Sequence, residues 1–225
     1  MRRFCILKLG TTFPQTRSRH GDFDSWTARA MGMTVDQVDV IHVLDGEAVP
    51  DLSGYAGVVA TGSHAMVTDR LPWSEQTASR IAELVVREVP FFGICYGHQL
   101  LAHATGGRVA YLEPEPEVGT VEVRTRSRAG EDWLLQGIPS CFPAHATHAQ
   151  TVHELPPGAI LLAESDRDPH HMFRVGSVAW GVQFHPEYTP DIMREYLVEQ
   201  QLHERLHAVK DTPEATAILR RFTRL

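Results

Sequence analysis

The chain has 225 residues, 43% of them hydrophobic, and a formal net charge of −7 at pH 7. This length and apolar content suit one core-forming domain over residues 1–225, without a second catalytic domain. The negative charge and the absence of long Lys/Arg runs argue against nucleic acid or a membrane surface as the main partner. A small-molecule site is therefore the expected kind of function.

Cysteine and histidine usage gives the next constraints. Cys5, Cys95 and Cys141 are too few and too widely separated for a disulfide framework or a zinc-binding spacing. The thirteen histidines, including the pair His170-His171, lack metal-ligand spacing, so we expect solvated or hydrogen-bonded histidines and no metal site. The N-terminus has no signal-peptide pattern and no apolar run approaches ~20 residues, which predicts a cytoplasmic protein.

The first half of the chain alternates between strand and helix patterns. Residues 4–9 predict a buried strand that ends at a glycine, and residues 11–20 predict a polar loop at the edge where α/β sheets bind ligands. A helix with an acidic first turn is predicted over residues 21–31 and a second strand over residues 37–44. The next strand and its loop cover residues 55–63, and an amphipathic helix covers residues 72–88.

Residues 90–107 read as a strand that turns sharply into a helix around a cysteine. Gly93 and Gly97 lie two positions either side of Cys95, where they remove side chains that would clash in such an elbow. Cys95 is then expected to be exposed at the tip, at a helix N-terminus that favours thiolate over thiol. This motif alone is equally consistent with a buried strand cysteine, since free cysteine is among the most buried residue types.

The later part of the chain is dominated by strand patterns. An acidic, proline-rich stretch at residues 113–117 predicts a solvated loop. Strands are predicted over residues 108–112, 119–124, 141–149 and 160–164, in a hairpin over 172–175 and 178–184, and helices from residues 191 and 213. The fold class is therefore α/β: a doubly wound, mainly parallel sheet flanked by helices, with a β-rich C-terminal half.

A second motif, Trp-Gly-Val-Gln-Phe-His-Pro-Glu at residues 180–187, supplies a base for the cysteine. His185 and Glu187 lie two residues apart at a predicted strand end, so both side chains project from one face. A carboxylate beside an imidazole fixes its tautomer and supports the imidazolium, as a cysteine nucleophile requires. Alone the pair is consistent with a solvated strand end, but with the elbow it indicates a Cys-His-Glu triad.

At these residues the chain resembles the class I glutamine amidotransferases, whose triad joins a Gly-x-Cys-x-Gly-x-Gln motif to a later His-Pro-Glu. The likeness extends from the first strand to about residue 188 and is greatest to stand-alone members related to the amidotransferase domain of GMP synthetase. The resemblance implies that Cys95 is the nucleophile, His185 the acid/base and Glu187 its orienting group. It also implies that Gln99 contacts bound glutamine.

The resemblance further implies an oxyanion hole. The backbone N–H groups of Gly62 and Tyr96 would hold the developing oxyanion, and each such donor stabilises it by roughly 3 kcal/mol. The family usually has Gly-Gly where this chain has Thr61-Gly62. Because the required donor is a backbone group, this departure is mild.

The family's Ser-His-Gly-Asp segment, which helps to hold the substrate, is matched here by residues 147–150, so that His148 and Gln150 become predicted substrate contacts. Gln150 replaces the usual acid, which removes a charged partner for the α-ammonium group of the substrate. We therefore expect free glutamine to bind weakly. A γ-glutamyl compound with a larger leaving group would bind better through the loop at residues 11–20.

The implied reaction releases ammonia from glutamine through a γ-glutamyl thioester and needs neither a metal nor an organic cofactor. The sequence contains no phosphate-binding Gly-x-x-x-x-Gly-Lys motif to use that ammonia. Three interpretations stay open: a glutaminase that feeds a separate synthetase subunit, a stand-alone γ-glutamyl hydrolase or peptidase, and a non-catalytic binding or regulatory protein on the same fold.

Overall fold

A computed structural model describes residues 2–225. Its eleven strands are β1 (Phe4–Lys8), β2 (Val38–His42), β3 (Gly57–Ala60), β4 (Phe91–Ile94), β5 (Arg108–Tyr111), β6 (Glu117–Thr125), β7 (Cys141–His148), β8 (Gln150–Glu154), β9 (Ile160–Glu164), β10 (Met172–Val175) and β11 (Ala179–Val182). The α-helices are α1 (Pro14–His20), α2 (Phe23–Ala30), α3 (Pro72–Val86), α4 (Tyr96–Ala104), α5 (Pro190–Glu199) and α6 (Pro213–Phe222). None of the helices in this part of the chain is both long and apolar enough to cross a membrane.

Nine strands form one sheet in the order β2-β1-β3-β4-β11-β10-β9-β6-β7, and β5 pairs with β8 in a separate two-stranded sheet. The strands from β2 to β11 in that order pair in parallel, whereas the rest of the large sheet is antiparallel. The predicted α/β class, with helices on both sides of a largely parallel sheet and a β-rich C-terminal half, is confirmed. The predicted hairpin is the β10–β11 pair.

Both faces of the parallel strands are buried, as their continuous apolar runs require. One face packs against α2 and α6, and its core includes Ile6, Val59, Phe92 and Phe222. The opposite face packs against α3 and α4, with Leu7, Val58 and Phe91 in its core. A third, aromatic-rich cluster joins α2 to α5 above the carboxyl ends of the strands.

The segment predicted as a loop at residues 11–20 is partly helical, so that expectation was wrong. Pro14 is pre-organised for the first turn of α1, and no long apolar run is needed because α1 lies on α5. Glu195 of α5 accepts hydrogen bonds from Arg19 and His20, each at 3.0 Å. Tertiary contacts therefore stabilise a helix that is too short to be stable alone.

A buried ion pair fixes this segment to the end of β1. Lys8 Nζ lies 2.8 Å from Asp22 Oδ2, and both side chains are nearly inaccessible to solvent. Asp22 also caps α2 and accepts hydrogen bonds from the Thr11 hydroxyl and the Thr12 backbone N–H. Burial alone would raise the pKa of Asp22, but its hydrogen bonds with Lys8, Thr11 and Thr12 lower it.

The connection from β4 to α4 is the predicted elbow. Cys95 has φ 49° and ψ −98°, a strained conformation for a residue with a side chain. A Cβ atom on Gly93 would lie 2.4 Å from the carbonyl oxygen of Gly97, and one on Gly97 would lie 2.5 Å from that of Ala60. Both glycines are therefore required by direct backbone contact, as predicted.

We expect Gly93→Ala to lower the free energy of unfolding by about 1–3 kcal/mol, because strand and helix must separate to admit one methyl group. Gly54→Ala is the matched control, since nothing lies within 4 Å of its added Cβ. Urea unfolding followed by circular dichroism measures both. Equal stability of the two variants would contradict this account of the elbow.

Candidate active site

The thiol of Cys95 lies at the floor of a pocket of about 270 Å³ at the carboxyl ends of the parallel strands. The residue is only 6% exposed, so the expectation of an exposed cysteine at the tip was wrong. The pocket walls rise around the elbow and cover it. Cys95 is therefore accessible only through the pocket, with Sγ 3.9 Å from the carbonyl oxygen of Thr147.

His185 reaches the same edge of the sheet because β11 pairs in parallel with β4, with Val182 opposite Ile94. The strand ends two residues before the predicted end at residue 184, and the backbone N–H of His185 then donates to the His145 carbonyl oxygen at 2.7 Å. This bond fixes the base above the sheet edge on which the elbow lies.

The side chain of Glu187 lies beside the imidazole of His185. Nδ1 of His185 lies 2.7 Å from Oε1 of Glu187, and both side chains are buried. Nε2 of His185 has no protein partner among the described residues, which leaves it available for a proton shared with a reacting group. The Tyr188 ring stacks on the imidazole with centroids 4.0 Å apart and restricts its rotation.

Charge on this imidazole is strongly stabilised. Burial alone would lower the pKa of His185, but the Glu187 carboxylate and Cys95 together raise it to about 10. The pKa values of two neighbouring histidines change in the opposite direction. Burial and the charge of His185 lower the pKa of His145 to about 4, and they also lower that of His64. Of these three imidazoles, His185 is the one whose charged form is stabilised.

The loop after β3 brings Gly62 to the nucleophile. A Cβ atom on Gly62 would lie 3.1 Å from Cε1 of His185 and 3.8 Å from Cβ of Cys95. The Thr61 hydroxyl accepts from the Leu9 N–H and donates to the Gly62 carbonyl oxygen, each at 3.0 Å. Thr61 therefore stabilises this loop, a role that its sequence position did not reveal.

The predicted substrate contacts lie together on one wall of the pocket. Nε2 of Gln99 donates to the Gln150 carbonyl oxygen at 2.7 Å, and Nδ1 of His148 lies 2.9 Å from the same oxygen. The Gln150 amide nitrogen donates to the Thr68 hydroxyl, whereas its Oε1 is buried without a partner. Gln150 thus presents an unused acceptor, while His148 has no free ring nitrogen, because its Nε2 lies 2.9 Å from Glu117.

Glu117 is not in a solvated loop, so the prediction for residues 113–117 was wrong at its last position. It is 4% exposed, begins β6, and accepts hydrogen bonds from His148, His171 and Ser165. Burial alone would raise the pKa of Glu117, but the hydrogen bonds from His148 and His171 hold it well below its ordinary value. Glu117, His148 and His171 are also the one set of metal-ligand type found in residues 2–225.

The opposite wall of the pocket is aromatic, with Phe13, Phe23, His64, Tyr188 and Tyr196 among its lining residues. Phe13 immediately precedes α1. The centroid of its ring lies 4.6 Å from that of the His64 ring and 5.1 Å from that of the Tyr196 ring. Within residues 2–225, the pocket lining includes no aspartate, glutamate, lysine or arginine. The sequence placed a ligand-binding segment here but gave no sign that Phe13 would be its contact.

Comparison with known proteins agrees with this geometry. The family model for class-I glutamine amidotransferases matches residues 27–205, a range that includes Cys95, His185 and Glu187. The chain belongs to the class I glutamine amidotransferase family. The resemblance first seen in the elbow and the His-Pro-Glu motif is thereby confirmed.

Relatives in the family have different names. The chain is 34% identical over 169 residues to GMP synthase (glutamine-hydrolyzing) of Porphyromonas gingivalis, covering 74% of this chain and 32% of that protein. It is 30% identical over 181 residues to Gamma-glutamyl peptidase 4 of Arabidopsis thaliana, covering 79% of this chain and 72% of that protein. The chain thus spans about a third of the GMP synthase but most of the peptidase.

A solved glutamine amidotransferase of Thermotoga maritima has the same fold. It superposes with a TM-score of 0.79 over 100% of both chains, at 20% sequence identity. At this identity the likeness concerns the arrangement of helices and strands.

A glutamine-like electrophile should modify Cys95 and neither of the other cysteines. Burial and Asp39 raise the pKa of Cys5 to about 12, and partial burial and Glu122 raise the pKa of the exposed Cys141. Mass spectrometry of the intact and digested protein measures the label. Cys141→Ser should be labelled like the unmodified chain and Cys95→Ser should not; stoichiometric label on Cys5 or Cys141 would contradict the site.

Proposed function

We propose that this protein is a cysteine-dependent amide hydrolase that cleaves the side-chain amide of glutamine or of a γ-glutamyl compound. The observation that carries the proposal is the state of His185: Glu187 engages Nδ1 at 2.7 Å, whereas Nε2 is unpartnered on the sheet edge that carries Cys95. A nucleophile, a base and an orienting group are the minimal requirement for covalent amide hydrolysis.

In the proposed reaction, the Cys95 thiolate attacks the amide carbon, and the backbone N–H groups of Gly62 and Tyr96 hold the oxyanion. His185 gives its proton to the departing nitrogen, so the C–N bond breaks and ammonia or an amine leaves. A γ-glutamyl thioester stays on the sulfur. His185 then takes a proton from water, whose oxygen attacks the thioester carbon. The C–S bond breaks, glutamate leaves and the Cys95 thiolate is restored.

The decisive assay supplies the pure protein with glutamine and with γ-glutamyl peptides and measures ammonia, amine and glutamate. We expect turnover, and a loss of at least about a thousandfold in kcat/KM for Cys95→Ser, because a serine hydroxyl is far less acidic than a thiol. Cys141→Ser is the matched control. Near-normal turnover by Cys95→Ser would refute the triad, and complete inactivity of the unmodified protein would favour a binding or regulatory role.

The use of the ammonia is a separate part of the proposal. The support for a synthetase partner is the GMP synthase relative, of which this chain covers 32%. Localisation in the cytoplasm, where glutamine and nucleotides are available, is part of the same interpretation.

A γ-glutamyl peptidase or hydrolase is the second candidate. Its support is the aromatic wall, which offers apolar contact surface to a leaving group larger than ammonia. The relative named as a peptidase, which this chain covers for 72% of its length, points the same way.

Gln150→Asp tests how the amino-acid end of the substrate is held. Oε1 of Gln150 is a buried, unpartnered acceptor, and a carboxylate there would add a charge-assisted bond to the α-ammonium group. We expect KM for glutamine to fall about tenfold with little change in kcat. Gln150→Asn has the length of aspartate without its charge, so identical KM values for the two variants would show that this end is held elsewhere.

A further inference from the structure

We infer that Glu117 is a positioning residue that fixes the substrate-binding wall of the pocket through the protonated ring of His148. The inference rests on the proposed function, because it concerns how that site holds its substrate. Glu117 lies behind the wall, outside the residues that line the pocket.

The Glu117 cluster, defined as Glu117, His148, Ser165 and His171, satisfies both oxygens of one buried carboxylate. Oε2 lies 2.9 Å from Nε2 of His148 and 2.7 Å from Nε2 of His171. Oε1 accepts from the Ser165 hydroxyl at 2.7 Å. All four residues are buried, so the carboxylate charge is balanced by these donors and not by water.

The protonation of His148 follows from its partners. Nδ1 lies 2.9 Å from the Gln150 carbonyl oxygen and Nε2 lies 2.9 Å from the Glu117 carboxylate. A carbonyl oxygen and a carboxylate are both acceptors, so each ring nitrogen must carry a hydrogen. His148 is thus an imidazolium whose charge is compensated by Glu117.

This imidazolium transmits the position of Glu117 to the pocket. The Gln150 carbonyl oxygen that accepts from His148 also accepts from Nε2 of Gln99 at 2.7 Å. The backbone of Gln150 is therefore linked to Glu117 through the His148 ring, and it is also bonded to Gln99, whose amide nitrogen donates in addition to Oε1 of Gln183 at 3.0 Å. Both Gln99 and Gln150 line the pocket.

The distances within the cluster are those of hydrogen bonds. The two histidine nitrogens lie 2.9 and 2.7 Å from the same carboxylate oxygen. These are the lengths of charge-assisted hydrogen bonds.

Loss of the charge on Glu117 should alter binding more than chemistry. Without the carboxylate, the buried imidazolium loses its counter-charge, and the His148 ring loses the partner that fixes it against the Gln150 carbonyl oxygen. Gln99 keeps its bond to Gln183, so the part of the wall that loosens is the backbone at Gln150. Cys95 and His185 are fixed independently, by the elbow and by the backbone bond to His145. The wall is expected to contact a part of the substrate that does not react. Removing the Glu117 charge should therefore raise KM and leave kcat nearly unchanged.

The test compares Glu117→Gln with Glu122→Gln, a matched control on the exposed face of the same strand. We expect Glu117→Gln to raise KM about tenfold for the preferred amide while kcat changes less than about threefold, and Glu122→Gln to change neither. An unchanged KM, or a fall in kcat alone, in an otherwise active enzyme overturns the inference. If the unmodified protein hydrolyses none of the amides, the proposed function fails instead.

A second measurement needs neither activity nor a variant that folds. Nitrogen-15 NMR of the histidine rings in the unmodified protein should show both nitrogens of His148 protonated at neutral pH, with the ring assigned through its proximity to His171. A neutral His148 ring, or one equivalent of zinc retained through purification with the ring nitrogen bound to it, overturns the inference.

Discussion

The active site depends on a backbone contact that excludes side chains. Gly93 in β4 lies so close to Gly97 in α4 that a methyl group on Gly93 would overlap the Gly97 carbonyl group, and a methyl group on Gly97 would overlap that of Ala60 in β3. This approach allows the chain to reverse within one residue and forces Cys95 into the left-handed region of φ. The position of the Cys95 thiol, its place at a helix N-terminus and the floor of the pocket all follow from this close packing.

Three buried carboxylates then organise the surroundings of the thiol. Asp22 fixes the segment that carries Phe13, Glu187 orients His185, and Glu117 supports the wall that contains Gln99. Each is paired with a buried cationic or hydrogen-bonding group, because an isolated charge in such surroundings would be strongly disfavoured. Polar groups behind the pocket thus hold walls whose own lining has no carboxylate and no lysine or arginine.

The sequence revealed those parts of the site that are encoded locally. Gly93, Cys95 and Gly97 lie two positions apart in sequence, as do His185 and Glu187, so a short motif was enough to find them. No short motif could reveal the role of Glu117, because its hydrogen-bond partners are 31, 48 and 54 residues away in sequence. Only the antiparallel half of the sheet brings these residues together. The position of Phe13 in the pocket could not be predicted for a related reason, because it depends on the packing of α1 against α5.

The place of β11 in the sheet has a consequence for how the molecule folds. This strand lies between β4 and β10 in the middle of the sheet, although it comes from the last fifth of the chain. A growing polypeptide completes β1 to β4 long before β11 emerges, so one edge of β4 stays unpaired and must close over a long loop. Cys95 and His185 therefore meet only when folding is nearly finished, and until then the open edge of β4 is the site where mispairing between chains would begin.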